Sequence, residues 1–134
     1  ESLSEKSEHQ WLEEGAAQQT PEHMALMKRW AAWTQKRRHL PGWVVTYVNG
    51  QGEDFDYGID YQQCGALLLF QRHDAQDLAP YFCMVDWPLN TRMATGLVRR
   101  KTLAMGHDVC DFRYKKGRAI SQDWSTEAPK IKSA

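Results

Sequence analysis

Residues 102–113 read TLAMGHDVCDFR. The stretch scans as strand, tight turn, strand. Gly106-His107 marks the turn, because glycine reaches positive φ without steric cost. In the second strand Cys110, Phe112 and Tyr114 share one face, and Val109, Asp111 and Arg113 share the other. Cys110 is thus expected to point inward beside two aromatic rings. A thiol in that setting is either inert packing or a nucleophile kept dry.

Working outward, residues 97–104 read as the first strand of this hairpin and 109–115 as the second. Upstream, Asp86 followed by Trp87-Pro88 reads as the cap of a helix ending near Gly96. Asp77 reads as the cap of the helix before it, with Pro80 in its first turn and Tyr81, Phe82 and Cys83 on it. Residues 64–70 are short and apolar and read as a helix. Residues 43–48 and 55–61 are β-rich and flank the turn Asn49-Gly50-Gln51-Gly52. Phe55, Tyr57, Ile59 and Tyr61 alternate there with Asp54, Asp56, Gly58 and Asp60, giving one buried and one acidic face. Three carboxylates on one face suit a hard cation, but a solvated sheet face explains them without one.

Further out, Thr20-Pro21-Glu22 is a helix start: Thr caps, Pro fits the first turn and Glu suits the dipole. That helix is predicted to run to about Arg37, with Met24, Met27, Trp30 and Ala31 as an apolar stripe. Lys36, Arg37, Arg38 and His39 close it with positive charge, favourable at a helix C-terminus. The expected organisation is a polar helical arm over 1–19, a single α+β domain over 20–117 and a polar tail over 118–134. Strands near 43–49, 54–62, 96–104 and 108–115 give a four-stranded, mostly antiparallel sheet covered by helices. A cavity between sheet and helices is the natural place for a ligand.

Composition sets bounds on function. The chain has 134 residues, enough for one domain with a real core, and its 17 basic and 17 acidic residues cancel. Charge balance gives no argument for nucleic acid or an anionic membrane surface, and no apolar run approaches a membrane span. Cys64, Cys83 and Cys110 are three widely spaced cysteines. An odd number without a CxxC pair fits reduced thiols in a cytoplasmic setting better than a disulfide framework. The six tryptophans and five tyrosines read first as a bulky core and second as an aromatic cavity lining. Glu1 rather than Met opens the chain, which reads as a processed or trimmed piece.

Cys83-Met84-Val85-Asp86, followed by Arg99-Arg100-Lys101-Thr102-Leu103-Ala104 and Gly106-His107-Asp108-Val109-Cys110-Asp111-Phe112-Arg113, resembles the L-2-amino-thiazoline-4-carboxylic acid hydrolase family. The resemblance covers about residues 43–116. It implies hydrolysis of a cyclic thiazoline amidine to a carbamoyl-cysteine. The segment Gly106 to Phe112 also looks like the vinyl-reductase-like small-ligand domain. That likeness supports an α+β cavity fold and supplies a non-catalytic alternative.

The implied chemistry needs an attacker at the ring carbon between nitrogen and sulfur. A thiolate can form a covalent adduct there that water then opens. Cys110 and Cys83 are the candidate nucleophiles, and Asp86 can activate water or protonate the leaving nitrogen. Arg100, Thr102, His107 and Cys64 are the candidate substrate-binding residues; an arginine suits a substrate carboxylate by two-point contact. Arg99 and Arg100 fall on opposite strand faces, so one of them faces a cavity at most. Each residue also has a structural reading: free Cys is commonly buried packing, Asp86 a helix cap, His107 an exposed turn residue. Three Cys with His107 or His73 match tetrahedral zinc in number but lack knuckle spacing, so no metal or other cofactor is expected. The expected partner is a small molecule, with a homo-oligomer or a partner subunit that completes the site kept as a further alternative.

Overall fold

The computed structural model describes residues 5–52 and 54–120. Helix α1 spans Glu8–Ala17 and α2 spans Pro21–Gln35. Strands β1 (Val44–Asn49) and β2 (Tyr57–Gln63) follow, then helices α3 (Gly65–Arg72), α4 (Ala79–Cys83) and α5 (Asp86–Met93), and finally strand β3 (Cys110–Tyr114). Short 3-10 turns occupy Gln76–Leu78 and Leu103–Met105. Among the described residues the sheet has three antiparallel strands in the order β1-β2-β3. No helix there is long and apolar enough to cross a membrane.

Period-two alternation sets the inner face. Tyr47 pairs with Ile59 and Ile59 with Phe112, while Tyr61 pairs with Cys110 and Tyr57 with Tyr114. All of these side chains share one side of the pleat. Val45, Tyr57 and Ile59 are buried with Ala31 of α2, and Phe112 and Tyr114 pack against that cluster. The rings form a ladder, with Tyr57 stacked on Tyr47 at 5.8 Å and on Tyr114 at 5.0 Å. Such cross-strand aromatic pairs fix register as well as adding contact. Thr34 ties α2 to β1: its hydroxyl accepts the Val45 N–H at 3.0 Å and lies 2.8 Å from the Ala31 carbonyl.

The helix starts at 20–22 and after Cys64 form as expected: Thr20 accepts the His23 N–H, and Cys64 caps α3. Helix α2 stops at Gln35 and not at Arg37. The polar N-terminal segment is a well-capped helix. Ser7 and Gln10 exchange hydrogen bonds in a capping box, and Trp11 is buried. Helix α1 packs along α5. At Gly15 the backbones meet so closely that an added Cβ would lie 1.7 Å from the Met93 carbonyl oxygen.

Two expectations are corrected. The predicted fourth strand near 96–104 is reduced to one bridge, Val98 with Arg113. The segment does run beside β3, but Asp111 Oδ1 takes the backbone N–H groups of Arg100 (2.8 Å) and Lys101 (2.7 Å). A carboxylate has replaced the ladder partner, and the chain then tightens into the 3-10 turn before Gly106 (φ 91°). Asp77 and Asp86 are not caps: α4 begins after Leu78 and α5 after Val85, neither with a side-chain cap bond. On the acidic sheet face two of the carboxylates have partners within the protein. Asp60 pairs with Arg113 at 2.8 Å, and Asp56 accepts the Lys116 N–H at 2.7 Å. Leu3, Trp124 and Ile131 lie outside the described residues.

Candidate active site

Helix α2 covers the β1 side of the inner face. The β3 side is roofed by α3, α4 and α5, which leave a cavity of about 340 Å³ between roof and sheet. That volume is in the usual range of small-molecule sites. Cys64, at the start of α3, Cys83, at the end of α4, and Cys110, at the start of β3, all line it, as does Asp86 of α5. The three thiols are free. Thus four of the seven residues that the sequence singles out converge on one space.

Arg99 also lines the cavity, and its side chain is 1% exposed. Its Nη1 donates to Asp86 Oδ2 at 2.6 Å, and its Nη2 donates to the Cys83 carbonyl at 2.9 Å. The guanidinium carbon sits 5.4 Å from the Trp87 ring and 4.9 Å from the Phe112 ring. Carboxylate, carbonyl and two π-faces together compensate a buried cation. The pair also fixes where Asp86 points, since an arginine fork constrains its partner's orientation.

Burial dominates the thiols. It pushes Cys83 up to about 11, with nearby Arg99 opposing the rise. It pushes Cys110 up to about 11 as well, opposed first by a hydrogen bond from the Leu103 N–H to Sγ at 3.2 Å. The Tyr61 and Tyr114 hydroxyls, both at the cavity wall, are raised by burial too and stay protonated at neutral pH. Among the described residues the site therefore offers neutral O–H and S–H donors beside one carboxylate.

Arg100, Thr102 and His107 stand outside the cavity lining. Arg100 and His107 are exposed, and Thr102 is buried with its backbone N–H 3.1 Å from His107 Nδ1. The sequence places Arg99 and Arg100 on opposite faces; the bridge between Val98 and Arg113 decides which faces in. It sets Arg99 opposite Phe112 and Arg100 opposite Asp111, so Arg99 enters the cavity and Arg100 meets solvent. That register is tertiary, so the sequence alone leaves the choice between the two arginines open. The half-exposed rings Trp43 and Phe82, which also line the cavity, carry no such sequence signal. Among the described residues no group of three or more His, Cys, Asp or Glu side chains is placed to hold a metal ion.

The family model for L-2-amino-thiazoline-4-carboxylic acid hydrolase matches residues 4–114. The match takes in the whole roof and sheet and extends through α2 and α1, well ahead of the region 43–116. No curated protein and no solved structure matches the chain.

Proposed function

The chain belongs to the L-2-amino-thiazoline-4-carboxylic acid hydrolase family, and from that premise we propose that its cavity hydrolyses a thiazoline-type cyclic amidine with Cys110 as nucleophile. The observation that carries the reading is the convergence of Cys110, Cys83, Cys64 and Asp86 on one partly open, mostly apolar space. Cys110 is preferred over Cys83 because the Leu103 N–H already points at its sulfur and would hold a developing anion.

A thiol at about 11 is ionised at neutral pH in roughly one molecule in ten thousand. Attack must therefore be coupled to proton removal, and Asp86 is the carboxylate in the cavity able to accept the proton. Sulfur adds to the amidine carbon, and the ring C–N bond breaks as Asp86 returns the proton to nitrogen. Water then adds to the same carbon and expels the Cys110 sulfur, which regains a proton. One water is consumed and the thiol is regenerated. Arg99 orients Asp86 throughout.

One observation favours a second reading, ligand binding without turnover: burial that raises Cys83 and Cys110 to about 11 is what inert core thiols show. Turnover of 2-amino-thiazoline-4-carboxylate separates the two. Cys110→Ala is expected to abolish it, and Asp86→Asn to slow it by about 10²–10⁴-fold, with circular dichroism as the folding control. Full activity in folded Cys110→Ala would remove the thiol from the mechanism.

A further inference from the structure

Four successive backbone N–H groups ahead of β3 end on side chains from the far half of the same hairpin. Arg100 and Lys101 donate to Asp111 Oδ1 at 2.8 and 2.7 Å, and Leu103 donates to Cys110 Sγ at 3.2 Å. Between them, the Thr102 N–H lies 3.1 Å from His107 Nδ1. Thr102 is buried, so its N–H needs an acceptor, and Nδ1 is placed to be one. The Thr102 carbonyl already takes the backbone N–H groups of Met105 and His107. Nδ1 therefore accepts, with the ring proton on Nε2. Gly106, at φ 91°, reverses the chain so that His107 returns to Thr102. His107 thus grips Thr102 from both sides, by its ring at the N–H and by its backbone at the carbonyl.

The next N–H along the chain is the one on Cys110. Sulfur is a weak acceptor, so it cannot hold that peptide in place by itself. Burial raises the Cys110 thiol, and the Leu103 bond is the largest influence acting against the rise, ahead of Arg99. Cys64 and Asp86 also act on the thiol through space, and both push it up. Whatever fixes Thr102 therefore governs how readily this sulfur carries charge. His107 itself is exposed and stands outside the cavity lining, so it reaches Cys110 only through the chain.

We propose that His107 is a positioning residue for Cys110: its Nδ1 holds Thr102 so that the Leu103 N–H stays on the sulfur as negative charge develops there. That Cys110 attacks a substrate rests on the hydrolase reading; the hold on its thiol does not. Labelling of the intact protein with iodoacetamide at pH 8, followed by peptide-mass analysis, reads each thiol separately. Losing a charge-assisted bond raises a thiol by about one pH unit and cuts the thiolate about tenfold, offset in part because a more basic sulfur is more nucleophilic. His107→Ala should therefore slow labelling at Cys110 by about three- to tenfold. Cys83, in the same cavity but off this turn, should be unchanged. His107→Asn keeps an acceptor, Oδ1, the same number of bonds from the backbone and should restore the rate; His107→Gln, with its acceptor one carbon farther out, should not. With 2-amino-thiazoline-4-carboxylate, kcat should follow the same order while KM stays constant. Unslowed Cys110 labelling in His107→Ala, or in His107→Gln if the alanine variant does not fold, overturns the proposal. So does slowing shared by Cys83, or an asparagine variant that fails to restore the rate. Labelling in the expected order, with turnover absent or unmoved by any variant, keeps the hold on Cys110 and overturns its reading as the nucleophile.

Discussion

Cys110 shows how one position carries two opposed demands. Its place on the inner face of β3 removes it from water, and burial holds its thiol up at about 11 against an ordinary 9.0. Cys83, across the cavity, is held up to about 11 for the same reason. Linkage makes this measurable. Between pH 9 and 11 the unfolded chain releases these protons while the folded chain retains them, so the unfolded state binds fewer protons and stability must fall as pH rises. Below pH 9 the contribution is fully present. Thermal melts from pH 8 to 11 should show Tm declining through this window, and less steeply in the Cys83→Ala, Cys110→Ala double variant. An equal decline in both proteins would show that other groups cause it.

At the scale of elements, the segment from Thr95 to β3 decides the site. It feeds Arg99 into the cavity and ends in the turn that aims the Leu103 N–H at Cys110. Asp111 shapes it by holding the N–H groups of Arg100 and Lys101. Asp111→Ala would strand two donors, one of them beside the turn. At about 1–2 kcal/mol for loss of a charge-assisted acceptor near the surface, urea denaturation should show a lower midpoint with an unchanged m-value. The same segment marks the limit of what the sequence reveals. Alternation in 55–61 and 109–115, and the Thr20-Pro21 cap, are local signals, and both strands and the helix formed where they pointed. The face of Cys110, Phe112 and Tyr114 was legible for the same reason. The fate of 96–104 was not, because a β-like stretch had its ladder taken over by a side chain eleven residues away from Arg100. Arg99 over Arg100 depended on that same tertiary register. The firm docking of α1 depends on Gly15 meeting Met93, a contact 78 positions apart that no periodicity in residues 8–17 reports.

Across the whole molecule, one sheet face is divided between two uses. On the β1 side α2 fills it with Ala31 and Thr34, and the core there is closed. On the β3 side the short helices α3, α4 and α5 stand off it and leave the cavity. Short helices can roof such a space because the Asp86–Arg99 pair and the Arg99 bond to the Cys83 carbonyl tie α4 and α5 to the strand-side segment. We propose that Cys110 attacks a cyclic amidine held in this space. The most direct test is rapid acid quench during turnover of the thiazoline amidine, followed by intact-mass and peptide-mass analysis. A substrate adduct is expected on the peptide carrying Cys110, absent in Cys110→Ala together with turnover. Steady turnover by Cys110→Ala, or an adduct confined to Cys64 or Cys83, would contradict it.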